Sequence, residues 1–324
     1  MTLSELFKFN KNIVINTDID GFLSGMILQK YYGCRVVGFT DSAKSLWISP
    51  EVVSIKDPIY IDLYVVDPDV VCIENHIISY DSIQTNEIKS LHRLMGYYEF
   101  RTKWNPNLER NRNCQDNYIY KYPFGTVHYL IALMAQDNIH VRLDNLSKEI
   151  IIQDIWTTFR VTPGMILLRA DDALNSSLIK YKENCRDWWQ WLEDTFNSQA
   201  IFLIKEYLYS LNSEFDYNRN ILDRFFLDYL KCDGKDGSFK KDSVRNNQDG
   251  VSDRIKEYTK KISEIFGLEL DLPQKLDYYE GRDIQHFNVP SRYKQDDIRD
   301  LNIFSYAYVY RSRLRCTIGP MIKK

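Results

Sequence analysis

Acidic side chains, amides and one histidine recur directly after short apolar runs in the first half of the chain. Carboxylates held close together repel one another, and a protein tolerates such a cluster when cations neutralise it. Hard divalent cations prefer carboxylate and amide oxygens, and Mn²⁺ also accepts imidazole. Two such ions about 4 Å apart can activate a water molecule and clamp a phosphoryl group. The residues able to take part in this chemistry are Asn16, Asp18, Asp20, Asp62, Glu74, Asn75, His76 and Asp154.

The segment Asn16-Thr17-Asp18-Ile19-Asp20-Gly21 is the first of these candidates. Asp and Gly also suit ordinary turns, so the pattern taken alone describes a turn equally well. Its place between the apolar run Ile13-Val14-Ile15 and a predicted amphipathic helix favours a functional loop. The ordered recurrence of further acids and a histidine along the chain strengthens this interpretation. We therefore interpret the segment as an acidic metal-binding loop.

The elements that must position these side chains alternate between strand and helix. This alternation predicts an α/β fold, with a parallel-sheet domain over residues 1–172. In parallel sheets, ligands bind where the carboxyl ends of the strands meet, so acids that follow different strands are expected to converge there. The predicted strands are 13–15, 35–39, 58–63 and 70–73, and the predicted helices are 22–32, 83–97, 124–137 and 146–158.

The second half of the chain, residues 173–324, has a different character and predicts a mainly helical region with a few strands. Helices are predicted over 186–211, 221–230 and 251–266, and the polar, Gly-rich stretch 231–250 predicts a mobile connection. Alternation over 304–317 predicts a strand with tyrosines 306, 308 and 310 on one face. The tryptophans at 188, 189 and 191 are typical of a core or an interface with a protein partner or a second copy.

Composition excludes several classes of protein. A net charge of −3 over 324 residues gives no overall basic footprint, so nucleic acid would need a local basic surface or metal ions. The six cysteines show no Cys-x-x-Cys spacing, which argues against a zinc site or a disulfide framework. The polar N-terminus lacks the apolar core of a signal peptide, and no apolar run is long enough for a membrane helix. We therefore expect a cytoplasmic protein with no membrane partner.

A basic and aromatic stretch over 101–122 is a second candidate surface, and residues 104–122 within it predict a long loop. Phosphates meet Lys or Arg and bases stack on aromatic rings, so a single-stranded nucleic acid can lie on such a loop. A solvated loop with its aromatics turned inward is equally consistent with the pattern. Lys121 and Thr126 are the candidate substrate-binding residues, since Thr126 begins a predicted helix whose free N–H groups can bind phosphate.

Five stretches of the chain resemble motifs of the DHH phosphoesterase family, over about residues 11–160. The third stretch resembles the Asp-His-His signature, written here as Glu-Asn-His. The glycine-rich signature of the small C-terminal substrate domain that often accompanies this family is not seen. The matching stretches are Asn16–Leu28, Ile59–Leu63, Cys72–Ile77, Gly125–Leu130 and Ile151–Asp154.

The resemblance implies roles for the matching carboxylates. Asp62 would bridge two metal ions, with Asp67 as the alternative if the third strand is misplaced. Asp20 and Asp154 would bind one ion and Asp18 the other. The ions implied are Mn²⁺ or Mg²⁺, one or two in number.

The resemblance also implies roles for the Glu74-Asn75-His76 segment. His76 would contact the scissile phosphate or act as an acid, and Glu74 would keep the supporting role of the first acid in the signature. Asn16 and Asn75 stand where the family usually has a metal-binding acid or histidine. An amide oxygen binds a hard cation, but it is uncharged and a weaker ligand than a carboxylate.

Two functions of different classes follow from these residues. The first is a hydrolase, a metal-dependent phosphodiesterase or nuclease that acts on single-stranded nucleic acid or a small nucleotide. The second is a catalytically weakened DHH-like subunit that binds a protein partner or a nucleotide without hydrolysis. Asn16 and Asn75 favour the second, whereas Asp18, Asp20 and Asp62 favour the first.

Overall fold

Eight strands form one large sheet at the centre of the protein. A computed structural model of the chain describes residues 1–95, 98–143, 146, 148–153, 158–169, 178–196, 215–288, 302–310 and 313–324. The strands are β1 (Asn12–Asn16), β2 (Arg35–Thr40), β3 (Ser45–Ile48), β4 (Ile59–Ile61), β5 (Cys72–Ile73), β6 (His92–Met95), β7 (Tyr98–Arg101), β8 (Lys103–Trp104), β9 (Ile150–Gln153), β10 (Thr158–Val161), β11 (Asp277–Glu280), β12 (Asp283–Asn288), β13 (Ile303–Tyr310), β14 (Arg313–Ile318) and β15 (Ile322–Lys323).

Helices cover this sheet and fill the second half of the chain. A 3₁₀ turn lies at Tyr118–Tyr120, and a π-helical turn lies at Phe225–Tyr229. The helices are α1 (Leu3–Phe9), α2 (Ile19–Tyr32), α3 (Ser82–Lys89), α4 (Pro106–Glu109), α5 (Cys114–Asn117), α6 (Thr126–Gln136), α7 (Pro163–Arg169), α8 (Leu178–Phe196), α9 (Phe215–Arg224), α10 (Lys241–Val244) and α11 (Asp253–Phe266).

The strand order of the large sheet is β15-β11-β3-β2-β1-β4-β5-β8. The five strands from β2 to β8 in this order are mutually parallel, whereas β3, β11 and β15 pair antiparallel. The predicted α/β class with a mainly parallel sheet is therefore confirmed. Because β11 and β15 come from residues beyond 173, the second half of the chain extends the sheet that the first half begins.

The apolar run at the start of the chain forms the central strand. Ile13, Val14 and Ile15 of β1 are fully buried, as expected for a parallel strand covered on both faces. Helix α2 follows directly and packs on β1, α6 and α7, so its side chains are buried on nearly every side. Gly33 ends α2 in the left-handed conformation that glycine adopts at low cost. This strand–loop–helix unit holds the acidic loop in a fixed position.

Two predicted helices are wrong in part or in whole. Residues 150–153 and 158–161 form the antiparallel hairpin β9–β10 instead of a helix. Three consecutive isoleucines favour a strand because β-branched side chains are stiff, and Ile151 is exposed between half-buried neighbours. The helix predicted over 83–97 ends at Lys89, and the hairpin β6–β7 follows it. Cross-strand pairing therefore overrides helix propensity in both segments.

The remaining predictions for secondary structure agree better with the structure. The predicted strand in the tail is confirmed as β13 and β14, and Tyr306 and Tyr308 are both buried. Helix α8 occupies 178–196, and the rest of the helix predicted to 211 lies outside the described residues. The loop predicted over 104–122 contains the short helices α4 and α5, which Asn105 and Asn113 cap. Side chains of asparagine at these caps accept the backbone N–H groups that a loop would leave to water.

Most of the cysteines and two of the three tryptophans at 188, 189 and 191 are buried, in agreement with the expectations from the sequence. Five of the six cysteines are buried, in keeping with their interpretation as small hydrophobic residues. Within the described part of the chain, no helix combines the length and apolar character that crossing a membrane requires. Trp188 and Trp189 are buried against α6 and belong to the main hydrophobic core.

A buried lysine stabilises the loop between β4 and β5. The Lys103 ammonium donates to the carbonyl oxygens of Val65 (2.8 Å), Asp67 (2.8 Å) and Val70 (2.6 Å), and only 1% of the residue is exposed. We expect Lys103→Met to lower the free energy of unfolding by about 2 kcal/mol or more, because three buried carbonyls lose their donor. Urea unfolding measures this change. Lys89→Met, at a partly exposed position on α3, is the control, and equal loss in both variants would contradict the prediction.

Candidate functional site

The acidic loop closes tightly onto the end of β1. Asp18 caps α2, and its Oδ1 accepts the N–H of Gly21 at 2.9 Å. A Cβ atom at position 21 would lie 2.2 Å from the carbonyl oxygen of Asn16. The first turn of α2 can therefore approach the strand only because this residue is glycine. This close approach explains why a glycine follows Asp20 in the Asp-x-Asp-Gly pattern.

Asp20 joins α2 to α6. Its two carboxylate oxygens accept the backbone N–H groups of Thr126 (2.6 Å) and Val127 (2.7 Å) in the first turn of α6. Burial, followed by the charges of Asp62 and Asp18, raises the pKa of Asp20 well above its usual range, and the two N–H bonds lower it in part. The positive end of α6 therefore stabilises a carboxylate that burial and its neighbours destabilise.

Asp62 follows β4 in a strained backbone conformation. Its φ of 62° lies in the left-handed region, which costs a non-glycine residue about 1–2 kcal/mol. The side chain is 3% exposed, and its Oδ1 accepts the Thr126 hydroxyl at 2.8 Å. Strain of this kind persists where the surrounding structure holds it, and such positions concentrate at functional sites.

Asn16 lies between two of these carboxylates. Its Nδ2 donates to Asp18 Oδ2 at 2.5 Å and to Asp62 Oδ2 at 3.1 Å. Its Oδ1 accepts the N–H of Thr17 at 2.9 Å, which sets the orientation of the amide. A neutral donor thus occupies the point on which two carboxylate oxygens converge. The two carboxylates therefore lie close enough to share one hydrogen-bond donor.

The segment after β5 turns its acid inward and its histidine outward. Glu74 is buried and accepts the N–H of His76 at 2.6 Å and the side-chain amide of Asn105. Burial raises the pKa of Glu74, and the bonds from His76 and Asn105 offset part of the shift. His76 Nδ1 lies 3.5 Å from Glu74 Oε2, and 37% of the His76 side chain is exposed. Glu74 therefore orients the imidazole.

Asn75 is held by its amide nitrogen. Nδ2 donates to the carbonyl oxygen of Phe124 at 2.7 Å, and the Asn75 carbonyl accepts Asn107 Nδ2 at 2.7 Å. Asn75 Oδ1 is buried and has no hydrogen-bond donor among the described residues. Buried amide oxygens usually accept at least one hydrogen bond, so this one is an exception.

These side chains open into one pocket of about 370 Å³. Seven residues predicted from the sequence lie in its wall: Asn16, Asp18, Asp20, Asp62, Asn75, His76 and Lys121. Glu74 and Thr126, also predicted, lie behind this wall, where they bind neighbouring site residues. Asp154 lies outside the described residues. Asp67, the alternative to Asp62, instead pairs with Lys56 at 2.5 Å.

A loop from the second half of the chain completes the pocket. Phe239 exchanges hydrogen bonds with Thr17, from its N–H to the Thr17 carbonyl (3.0 Å) and from the Thr17 hydroxyl to its carbonyl (2.9 Å). The N–H of Ile19 donates to the carbonyl of Asp236 at 3.1 Å. The sequence predicts a mobile connection here, and the structure shows a folded loop bound to the acidic loop instead. The glycines at 234 and 237 were the available signal, since they permit tight turns.

Sequence reasoning also missed other residues of the pocket wall. They come from the turn between β2 and β3, from the end of α7, from the loop before α10 and from β14, and no local pattern marks them as a site. The wall residues missed are Asp41, Ser42, Ala43, Arg169, Asp236, Ser238, Lys240 and Arg315.

The basic stretch over 101–122 is largely neutralised within the protein. Arg110 and Arg112 pair with Asp187 of α8, at 2.7 and 3.7 Å, and both stack on the Trp188 ring. Arg101 pairs with Glu109. Trp104 and Tyr122 are buried whereas Tyr120 is half exposed, so the aromatic side chains of this stretch turn inward in part.

His128 of α6 makes the protein sensitive to acid. It is 1% exposed, and burial lowers its pKa from 6.5 to about 4. Because the folded state resists protonation, the unfolded state binds more protons between these values, and stability falls as pH drops through that window. We expect His128 to contribute a loss of about 2–3 kcal/mol on going from pH 7 to pH 4.5. Urea unfolding at both pH values measures it, and identical pH dependence in His128→Gln would contradict the assignment.

The pair Asp18 and Asp62 is the part of the site that fits a cation. Their Oδ2 atoms share the Asn16 amide as donor, and Asn75 lies in the wall of the same pocket. In the described ranges, no group of three or more His, Cys, Asp or Glu side chains is arranged to hold a metal ion. Ligation would thus rest on two carboxylates, with an amide oxygen and water completing the shell. Such a donor set fits one hard cation such as Mg²⁺ or Mn²⁺.

Comparison of the chain with protein-family models, with curated proteins and with solved structures gives no match. The resemblance to the DHH phosphoesterases therefore rests on the sequence motifs alone. The geometry of the pocket is an observation independent of that resemblance, and it is the basis for the function proposed next.

Proposed function

We propose that this chain is a divalent-metal-dependent phosphoesterase that hydrolyses a phosphodiester in single-stranded nucleic acid or a small nucleotide in the cytoplasm. The observation that carries the proposal is the convergence of Asp18 and Asp62 in one pocket at the carboxyl edge of the parallel strands. Ligands of parallel sheets bind at this edge. The motifs that resemble those of the DHH family support the same function.

Asp18 and Asp62 would hold the cation, Mn²⁺ or Mg²⁺, with Asn75 Oδ1 as a neutral ligand. When bound, the cation would offset the carboxylate charges and act as a Lewis acid toward a phosphoryl oxygen. Asp20 would hold α6 in place and would not bind the cation, because both of its carboxylate oxygens already accept N–H groups of α6.

His76 is the residue we assign to proton transfer. Its Nδ1 faces Glu74, so Nε2 on the other side of the ring is the nitrogen that meets the phosphoryl or leaving-group oxygen. The buried Glu74 carboxylate holds the ring in place, as acids commonly do for functional histidines. Lys121 in the same wall attracts the substrate phosphate.

Incubation of the chain with Mn²⁺ or Mg²⁺ and a panel of labelled substrates tests the proposal. The panel contains single-stranded DNA, short RNA, cyclic dinucleotides and polyphosphate. We expect product from one class of substrate, with loss of activity in His76→Ala and full activity in His92→Ala, a histidine on the distant β6–β7 hairpin. Product that persists unchanged in Asp18→Ala/Asp20→Ala would refute the site.

A second function, binding without hydrolysis, is favoured by the position of Asn16. Its amide donates a hydrogen bond to both Asp18 and Asp62, so the two carboxylates have a partner without a cation. Calorimetric titration with Mn²⁺ separates the two functions. Binding that disappears in Asp62→Ala supports the enzyme, whereas no binding at millimolar Mn²⁺ supports a binding subunit.

A further inference from the structure

Three cations in the pocket wall have no acidic partner. Lys121 precedes α6, Lys240 precedes α10 and Arg315 lies on β14, and within the described residues no carboxylate pairs with any of them. Arg169, the fourth cation in the wall, differs because it pairs with Asp223 at 3.3 Å. Cations that converge on one cavity without counter-ions favour an anionic ligand.

Arg315 carries an additional signal. Its Nε is buried and has no acceptor among the described residues, although the side chain lines the pocket. A buried guanidinium N–H without an acceptor is costly. Guanidinium groups bind phosphate oxygens with two parallel hydrogen bonds, which suits this position.

The face of β14 that carries Arg315 is turned toward the pocket. Leu314 and Cys316 point into a hydrophobic core, so Arg315 and Thr317 share the opposite face. The Thr317 hydroxyl donates to the carbonyl of Ala43, in the turn that forms another part of the pocket wall. That bond fixes the strand face against the pocket and thereby positions Arg315.

Two further acids of the wall, Asp41 and Asp236, are hydrogen bonded within their own turns and, among the described residues, form no ion pair with these cations. Asp41 Oδ1 accepts the N–H groups of Ala43 and Ser45 within its own turn. Asp236 Oδ1 accepts the N–H and hydroxyl of Ser238. The remaining carboxylates of the wall belong to the buried cluster of Asp18, Asp20 and Asp62, which would take the cation.

We infer that Arg315, Lys240 and Lys121 form an anion clamp that binds a second phosphate group of the ligand, beside the group held at the carboxylate cluster. This inference rests on the proposed function for the identity of the first phosphate position. Two of the three cations come from the second half of the chain. That half therefore contributes ligand-binding residues to the site as well as helices to the core.

Methylenediphosphonate, whose P–C–P link cannot be hydrolysed, is the probe for the clamp. Calorimetry in excess Mg²⁺ compares it with methylphosphonate, which carries one phosphonate group. We expect the unmodified chain to bind the diphosphonate at least tenfold more tightly, because only the diphosphonate reaches the clamp. Equal affinity for the two probes would overturn the inference.

Matched pairs of variants show which cations cause the tighter binding of the diphosphonate. Arg315→Gln is compared with Arg313→Gln, an exposed position on the same strand, and Lys240→Gln with Lys241→Gln, whose lysine pairs with Glu280. We expect a loss of about tenfold in diphosphonate affinity for the first of each pair and less than about twofold for the second. Equal losses within both pairs would show a general charge effect and overturn the clamp. Lys240 is exposed, so its variant tests the clamp even if Arg315→Gln does not fold.

The clamp and the proposed function can fail separately. Binding of the diphosphonate that depends on Arg315, in a chain that hydrolyses none of the substrates, would retain the clamp and contradict the hydrolase. Hydrolysis with no effect of Arg315 or Lys240 on either probe would retain the hydrolase and overturn the clamp.

Discussion

Asp62→Asn is expected to abolish divalent-metal binding and hydrolysis without lowering the stability of the chain in a chelating buffer. The substitution removes one charge from a buried carboxylate cluster and keeps the shape of the side chain. Residues that only support metal ligands typically contribute 10- to 100-fold to metal affinity, so we expect a direct ligand to contribute more than about 100-fold. Loss of function with retained stability marks a residue kept for function rather than for folding.

The hydrogen bonds around Asp62 explain why the fold tolerates this change. The new Oδ1 can accept Asn16 Nδ2, and the new amide nitrogen can donate to the Thr126 hydroxyl, which also accepts. Removal of like charge from beside Asp18 and Asp20 relieves the repulsion that raises the pKa of Asp20.

Thermal unfolding in EDTA and calorimetric Mn²⁺ titration measure the two effects of Asp62→Asn. Asp69→Asn, in the exposed turn before β5, is the matched control and should change neither. A clear fall in the unfolding temperature of Asp62→Asn in EDTA would show that the carboxylate is structural. Unchanged Mn²⁺ affinity would remove Asp62 from the metal site.

Asn16→Asp is expected to have the opposite pair of effects. It replaces the amide that bridges Asp18 and Asp62 with a third carboxylate, so two hydrogen bonds become repulsions. We expect the free energy of unfolding in EDTA to fall by about 2–4 kcal/mol. We also expect Mn²⁺ affinity to rise at least about tenfold, because a charged ligand replaces a neutral donor at the point of convergence.

Asn16→Ala separates the added charge from the removal of the amide. It vacates the same point but adds no ligand, so it should destabilise the chain without the gain in Mn²⁺ affinity. Unfolding temperatures with EDTA and with Mn²⁺ report both effects on one sample. A gain of equal size in the alanine variant would mean that the amide blocks the cation, and no gain in either variant would place the cation elsewhere.

Local pattern was sufficient for the first unit of the fold. The run Ile13–Ile15 predicts a buried strand, Gly33 predicts the end of α2, and the placement of the acidic loop between them follows from short-range sterics. The positions of Asp62 near the end of one strand and of His76 after the next follow for the same reason. These features depend on residues within one or two turns of each other, so the sequence carries them directly.

In two segments the local pattern predicts a helix where the structure has a hairpin. Residues 150–153 read as part of a helix because apolar residues recur nearby, yet the strand forms because Thr158–Val161 is available to pair with it. The energy of a hydrogen-bonded partner strand lies outside the window that a periodicity pattern covers.

Residue types and local patterns show which side chains can do chemistry and that several of them follow strands of a parallel sheet. Contacts between distant parts of the chain set how each of these side chains is used. Asp20 binds the first residue of α6, Thr126, which lies 106 positions further along the chain. Thr17 of the acidic loop binds Phe239, which lies 222 positions further along. Arg315 reaches the pocket through the register of β14. Such roles depend on long-range contacts whose pairing no local pattern encodes, because burial and hydrogen bonding are satisfied only when the distant elements meet.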